Sequence, residues 1–269
     1  MKTSKKIGLA LGGGGARGIA HIGVIRGMKK AGITPDYLAG SSMGAIIAAL
    51  LAIDKDWSLI EEEALSFDSG KAIKKLYDFG KVGQAVLKGI KVKKFLHDQF
   101  GDLEFKDTII PLQIVACDLE SGDEIVIKEG RIVDAIFASI SVPGIFPPVK
   151  IGNKYLIDGG VVNPTPFDLV HKMGADIVIG VDLIDNKPPA ITKTPGFATT
   201  LLLSFEIIRR QAVAHKLQFI NDNTIIIKPE LRDFMASFKF YDIEKFIDSG
   251  EDAFNKSLPK INQLLTIDK

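Results

Sequence analysis

The segment Tyr37–Ala52, YLAGSSMGAIIAALLA, carries the sequence GSSMG at positions 40–44 between two apolar runs. A Gly-x-Ser-x-Gly sequence in this position is typical of a nucleophile elbow, a sharp turn from a strand into a helix that exposes the serine hydroxyl. Gly40 and Gly44 leave room for a strained backbone and for close contact between the strand and the helix. The pattern therefore indicates Ser42 as a candidate nucleophile, although ordinary Gly/Ser turns match it too.

Outward from this turn, short apolar runs alternate with segments of helical period. This alternation predicts an α/β fold, a three-layer sandwich whose mostly parallel sheet is covered by helices on both faces. The predicted strands are Ile7–Leu11, Tyr37–Gly40, Pro111–Cys117, Glu124–Lys128, Lys154–Ile157, Asp176–Val181 and Thr224–Ile227. The predicted helices are Ile19–Ala31, Met43–Ile53, Val133–Ala138, Phe167–Met173, Thr199–Gln218 and Ile243–Ser257.

Length and composition are typical of a globular protein. The chain has 269 residues, of which 46% are hydrophobic and 25% are charged. Such a chain is long enough to bury a full core, and we expect a single domain over residues 1–269. The net charge of +1 gives no reason to expect nucleic acid as a partner.

Cysteine and histidine usage argues against two further classes of site. Cys117 is the single cysteine, so an intrachain disulfide is impossible, and its apolar surroundings predict a buried thiol. His21, His97, His171 and His215 are scattered without ligand spacing, so we expect no metal site. We see no signal peptide and no apolar run of about 18 residues, and therefore expect a cytoplasmic protein.

Residues 55–105 differ from the rest of the chain, since they have a helical period and are basic in the middle. They are predicted to form a basic helical insertion. Between positions 71 and 94 only one acid, Asp78, accompanies the eight lysines Lys71, Lys74, Lys75, Lys81, Lys88, Lys91, Lys93 and Lys94, and Val82, Val86, Leu87 and Ile90 lie among them at helix-like spacing. Peripheral contact with anionic lipid is one interpretation. An amphipathic helix with a solvated lysine face is the simpler one.

A glycine loop, GGGGARG at positions 12–18, follows the first predicted strand. Consecutive glycines allow several backbone N–H groups to point into one concave anion site. A P-loop is excluded because no Gly-Lys-Ser/Thr ends the loop. A dinucleotide site would need an acid at the end of the second strand, whereas Asp36 precedes that strand. An oxyanion beside Ser42 fits better, because adjacent parallel strands open into one crevice at their carboxyl ends.

Two kinds of base are available to activate the serine. The usual partner order for this elbow ends in a histidine, and only His171 and His215 lie late in the chain, both in predicted helices. Asp158 instead ends a predicted strand and is followed by Gly159 and Gly160, which permit a tight turn. Asp-Gly is also a common hairpin sequence, so both kinds of base remain open at this point.

Taken together, four segments resemble the patatin-like phospholipase family. They occur in the family's order and span about 150 residues, which is more specific than any single motif. The segments are GGGARG at 13–18 followed by AHIGV at 20–24, GSSMG at 40–44, ASISVPGIFPP at 138–148 and DGGVVNP at 158–164.

The resemblance implies a lipid acyl hydrolase that uses a Ser–Asp dyad without a histidine and needs no metal or organic cofactor. Position by position, it assigns Ser42 as nucleophile and Asp158 as base, with a lipid or fatty-acyl ester as substrate. It assigns an oxyanion hole to the amides of Gly13, Gly14 and Gly15, with Arg17 beside it. It also implies that residues 141–148 shape the wall of the site, and we assign His21 to packing. The alternatives are a Ser-Asp-His esterase and a nucleotide-binding or catalytically inactive module.

Overall fold

The computed structural model describes residues 5–54, 57–66, 78, 85–184, 191, 194–218, 220–231 and 243–266. Within these residues, apolar runs form the strands of one eight-stranded sheet. The strands are β1 (Ile7–Leu11), β2 (Tyr37–Ser41), β3 (Leu112–Asp118), β4 (Glu124–Ile127), β5 (Val149–Ile151), β6 (Lys154–Asp158), β7 (Ile177–Val181) and β8 (Thr224–Ile227).

The sheet has a parallel half and an antiparallel half, and its strands are hydrogen-bonded in the order β5-β6-β3-β2-β1-β7-β8. β2 and β6 follow one another along the same edge of β3, and β4 pairs with the other edge. Strands β3, β2, β1, β7 and β8 are parallel neighbours, whereas β4, β5 and β6 pair in antiparallel fashion. β1 and β7 are buried along their full length, as expected for parallel strands covered on both faces. The predicted mostly parallel α/β sheet is therefore confirmed.

The helices form a layer on each face of the sheet. They are α1 (Ala20–Lys30), α2 (Met43–Ala52), α3 (Trp57–Ser66), α4 (Ile90–Phe100), α5 (Ile132–Ser139), α6 (Phe167–Lys172), α7 (Phe197–Leu217) and α8 (Ile243–Thr266), with 3-10 turns at Gly15–Ile19, Phe105–Asp107 and Gly159–Val161. Alternate residues of β1 show the division: Leu9 and Leu11 pack in the core with α1, α2 and α8, whereas Ala10 packs with α6 on the other face.

Glycines bring α1 and α8 into close contact. A Cβ on Gly23 would collide with the carbonyl oxygen of Ile247, and one on Gly250 with that of Ala20. Arg26 then joins three helices, because it pairs with Glu61 of α3 and with two acids of α8. The outer layer is therefore held by backbone contact as well as by apolar packing.

Three expectations need correction. The short strand β5 was not predicted, and α8 continues beyond Ser257 through Pro259 to Thr266, with Ile261 fully buried. The helix-like spacing of Val86 and Leu87 is not realised. The N–H groups of these two residues instead donate to the carbonyls of Gly144 and Ile145 at 3.0 and 2.8 Å.

The predicted helical insertion is described only in part. α3 and α4 lie within residues 55–105, and α4 begins where the Asp78 carboxylate accepts N–H bonds from Gly89, Ile90 and Lys91. This carboxylate satisfies amides at the first turn of α4. The lysines at 71, 74, 75 and 81 lie outside the described residues, whereas Lys88, Lys91, Lys93 and Lys94 are exposed.

Candidate active site

Ser42 occupies a sharp turn between β2 and α2. Its backbone is left-handed, with φ 53° and ψ −126°, a conformation that non-glycine residues seldom adopt. Its N–H donates to Ser139 Oγ at 2.9 Å, which ties the turn to α5. A Cβ on Gly44 would collide with the Leu11 carbonyl, and one on Gly40 would lie 2.6 Å from Gly44 O. Both glycines therefore permit the close contact between strand and helix that the elbow needs.

Asp158 lies directly against this serine. Ser42 Oγ donates to Asp158 Oδ2 at 2.7 Å, and the Gly160 N–H donates to Oδ1 at 2.7 Å. The Asp158 N–H in turn donates to the carbonyl of Ser141 at 2.9 Å, so residues 141–148 begin beside the base. Asp158 is 1% exposed and Ser42 is 9% exposed. Both oxygens of the carboxylate are thus held in a buried position.

β3 explains how two residues 116 positions apart become neighbours. One edge of β3 pairs with β2 as far as Ser41 opposite Val115, and then with β6 from Ala116 opposite Asp158. β4 takes the other edge along both stretches. β2 and β6 therefore meet end to end on one edge, which places the residue after β2 beside the last residue of β6. A Cβ on Gly159 would collide with Val115 O, so this junction is tight.

Burial changes the acidity of Asp158. Loss of solvent raises the pKa of its carboxyl from 3.8 to about 6, against the opposing effects of the Ser42 hydrogen bond, the Arg209 charge and the Gly160 N–H. A carboxylate with such a pKa is a better proton acceptor than a solvated aspartate and is still ionised at neutral pH.

The glycine loop packs against the elbow. A Cβ on Gly13 would lie 2.9 Å from Ser42 Cβ, so only glycine fits there. The Gly13 N–H, however, donates to Pro164 O at 2.8 Å, and the Gly12 N–H to Val181 O at 3.0 Å. This bond engages the Gly13 amide, which corrects the expectation that it points at an oxyanion. Among the described residues, the Gly14 and Gly15 amides donate no hydrogen bond to a backbone carbonyl of a turn, loop or helix cap.

Arg17 lies behind the loop and joins a buried ionic group. Its Nη2 donates to Glu206 Oε1 at 3.1 Å, and Arg209 Nη1 donates to Glu206 Oε2 at 2.9 Å. Arg209 Nη2 donates to the carbonyl of Gly13. Burial would raise the pKa of Glu206, but the charges of Arg209 and Arg17 outweigh it and keep the pKa below its usual range. The sequence does not single out Glu206 and Arg209, because oppositely charged residues at i,i+3 within a helix resemble an ordinary surface ion pair.

His21 supports the loop from below. Its Nε2 donates to Gly12 O at 2.7 Å, and the ring is fully buried. Burial lowers the pKa of His21 to about 4, so the ring is neutral at pH 7. This position agrees with the packing role expected for it.

His171 and His215 lie at the amino-terminal end of the parallel strands, opposite the end at which Ser42 lies. His171 is in α6, which leads to the first residue of β7, and His215 is in α7, which leads to the first residue of β8. Both line one pocket with Thr224, where β8 begins. Ser42 follows the last residue of the parallel strand β2, so the fold brings neither histidine to it.

Two further properties concern cofactors and membranes. In the described part of the chain, no three His, Cys, Asp or Glu side chains cluster so that they could hold a metal ion. None of the helices in that part is both long and apolar enough to cross a bilayer.

A family model described as patatin-like phospholipase matches residues 9–171. Among proteins of similar sequence, neuropathy target esterase sws of Drosophila melanogaster is 33% identical over 186 residues, which cover 67% of this chain and 13% of that protein. An uncharacterized NTE family protein of Mycobacterium tuberculosis strain H37Rv is 29% identical over 279 residues, or 95% of this chain and 47% of that protein. The chain therefore spans less than half the length of either relative.

Two solved structures share the fold. VipD from Legionella pneumophila superimposes with a TM-score of 0.55 and 15% identity, covering 97% of this chain and 66% of that chain. The type III effector protein ExoU superimposes with a TM-score of 0.50 and 14% identity, covering 98% of this chain and 54% of that chain.

Proposed function

The chain belongs to the patatin-like phospholipase family, and from this premise we propose that it is a serine hydrolase of lipid carboxylic esters, with Ser42 as nucleophile and Asp158 as base. The observation that carries the proposal is the 2.7 Å hydrogen bond from Ser42 Oγ to the buried carboxylate. A strained elbow and a pKa of about 6 for Asp158 support the same roles. Phospholipids and lysophospholipids are the substrates we propose.

In the first half-reaction, Ser42 Oγ attacks the ester carbonyl carbon while its proton passes to Asp158 Oδ2. The resulting tetrahedral carbon carries an oxyanion. Its collapse breaks the bond to the alcohol or lysolipid, which leaves with the proton from Asp158. The serine is then acylated and the aspartate is again ionised.

In the second half-reaction, Asp158 accepts a proton from water, whose oxygen attacks the acyl carbon. Collapse of this second oxyanion returns the proton to Ser42 Oγ and releases the fatty acid. The cycle needs one base only, because the same carboxyl alternates between proton acceptor and donor. The position of His171 and His215 at the opposite end of the parallel strands supports a dyad over a Ser-Asp-His triad.

We propose the Gly14 and Gly15 amides as the donors that stabilise both oxyanions. The loop lies against the Ser42 side chain, and Gly15 has a left-handed backbone, with φ 56°. Turns that combine such conformations direct successive N–H groups to one side. Removal of one donor of this kind commonly lowers kcat by about 10²–10³.

The domain and membrane expectations also belong to this proposal. We propose that residues 1–269 form a single acyl hydrolase domain with a basic helical insertion near 55–105. Residues 71–94 would contact anionic membranes peripherally. The exposure of Lys88, Lys91, Lys93 and Lys94 supports this surface.

The test is intact-mass measurement after treatment with a fluorophosphonate, in buffer with mild detergent. We expect one adduct on the parent and none on Ser42→Ala. Ser41→Ala is a matched control, because Ser41 is the adjacent serine and is fully buried. Phospholipid hydrolysis should follow the same order, with Asp158→Asn inactive.

Absence of an adduct on the parent would contradict the proposal. If Ser41→Ala lost the adduct and Ser42→Ala kept it, the nucleophile would be Ser41 and not Ser42. This result would also overturn the proposal.

A further inference from the structure

We propose that Arg209 is a positioning residue for this reaction: its guanidinium fastens the glycine loop against Ser42 and faces the Asp158 carboxylate. The inference rests on the proposed function. Arg209 lies in α7 (Phe197–Leu217), beyond the 9–171 segment that the family model matches. The family match therefore does not assign it a role.

The first contact of Arg209 is with the glycine loop. Its Nη2 donates to the carbonyl of Gly13, the glycine that packs on the Ser42 side chain. The same guanidinium donates through Nη1 to Glu206 at 2.9 Å. One rigid, planar group thus joins the loop to α7, which a single ammonium cannot do with the same geometry.

The second contact of Arg209 is with the turn after the base. A Cβ on Gly160 would lie 3.1 Å from Arg209 Nε and 2.9 Å from Asp158 Oδ1. The arginine and the carboxylate therefore face the same side of Gly160. Any side chain at position 160 would meet both groups, so the absence of a side chain at Gly160 allows both to occupy these positions.

Charge balance connects these contacts to the reaction. Arg17 and Arg209 carry two positive charges, and Glu206 carries one negative charge, so the buried ionic group has a surplus of one positive charge. Ionised Asp158 neutralises this surplus in the resting site. When Asp158 takes the proton of Ser42, the oxyanion carries the negative charge instead. The same cation thus balances the site before and after proton transfer, without reorganisation of solvent.

The burial of these charged side chains is unfavourable for folding, and a role in the reaction would explain it. Arg209 is 5% exposed and Glu206 is 3% exposed, and desolvated ion pairs seldom stabilise a fold more than apolar residues of the same size. A buried cation beside a reacting carboxylate, however, has a large effect on proton affinity. Among the described residues, the groups that act on the Asp158 carboxylate are the Ser42 hydroxyl, the Gly160 N–H and the Arg209 guanidinium.

The experiment compares Arg209→Gln, Arg209→Lys and the control Lys260→Gln, which removes an exposed positive charge from α8. We measure kcat/KM against pH on a soluble carboxylic ester, with rates divided by the number of sites that a fluorophosphonate titrates. This division removes any effect of misfolded protein from the comparison.

For Arg209→Gln we expect kcat/KM per titrated site to fall by about 10². The acid limb of the profile, the pH below which kcat/KM declines, should rise by about one pH unit because Asp158 loses a neighbouring positive charge. Arg209→Lys keeps the charge but loses the fork, so its acid limb stays at the parent's pH while kcat/KM falls by about tenfold or more. Lys260→Gln should match the parent in both quantities.

An unchanged acid limb in folded Arg209→Gln would overturn the inference. So would parent-level kcat/KM per titrated site in Arg209→Lys, which decides the matter if Arg209→Gln does not fold. A parent enzyme that titrates no site would instead contradict the proposed function. The two failures are therefore distinguishable.

Discussion

Asp158 is ionised at neutral pH although burial favours its neutral form. Its pKa in the folded protein is about 6, against 3.8 for an exposed carboxyl. Each pKa unit corresponds to about 1.4 kcal/mol, so the charge reduces the free energy of unfolding by about 3 kcal/mol above pH 6. This penalty disappears as the pH falls towards 4, because the folded state binds the proton first.

We therefore predict that Asp158→Asn abolishes activity and raises the free energy of unfolding by about 2–3 kcal/mol at pH 8. Urea unfolding of parent and variant at pH 8 and at pH 4 measures the effect. The two proteins should converge at pH 4, where the parent carboxyl is already protonated. Equal stability at pH 8 would show that the carboxylate is not penalised by burial.

The same pKa sets the acid limb of the reaction. We predict that kcat/KM falls below about pH 6 as Asp158 becomes protonated and can no longer accept the proton of Ser42. A pH profile on a soluble ester measures the limb. The His21 ring, with a pKa of about 4, is neutral throughout this range and does not contribute. An acid limb near pH 4 would contradict the assigned base.

At the scale of elements, the contact between α1 and α8 depends on the absence of side chains. We predict that Gly250→Ala lowers the free energy of unfolding by about 1–3 kcal/mol, because the new Cβ meets the Ala20 carbonyl and forces the helices apart. Urea unfolding measures the loss. Gly196→Ala is the control, since no atom lies within 4 Å of its Cβ position. Equal loss in both variants would contradict the packing argument.

Local signals left the base of Ser42 open between Asp158 and a late histidine, and only the family resemblance pointed to Asp158. The sequence was sufficient for the parallel half of the sheet, because buried strands leave local apolar patterns. It was insufficient for β5, a three-residue strand between Pro148 and Gly152. It was also insufficient for Arg209, whose position beside Gly13 depends on tertiary packing of α7. Long-range contacts of this kind have no local sequence pattern.

At the scale of the whole molecule, the sheet separates the dyad from the late histidines. We predict that His171→Ala and His215→Ala each retain kcat/KM within about twofold of the parent, because both residues are exposed at the opposite end of the parallel strands. Ester hydrolysis with each purified variant measures this. A loss of about 10³-fold or more in either variant would favour a triad instead.

The surface lysines allow a test of membrane contact. We predict that replacing Lys88, Lys91 and Lys94 with Gln lowers activity on anionic vesicles and leaves activity on a soluble ester unchanged. Replacing the exposed residues Lys29, Lys128 and Lys260 is the control with equal change in net charge. If both triple variants lose vesicle activity equally, net charge and not residues 71–94 is responsible.

The dyad forms only when β2 and β6 are both in the correct register along the shared edge of β3. If β6 slipped by one residue along β3, Asp158 would move by about 3.3 Å and its side chain would turn to the other face of the sheet. Such a molecule would keep nearly all of its hydrogen-bonded strands and its helices, and circular dichroism would not distinguish it from the native form. Its serine would nevertheless have no base. The fraction of refolded chains that take a fluorophosphonate label therefore counts the molecules in which β2 and β6 have found their correct places along β3.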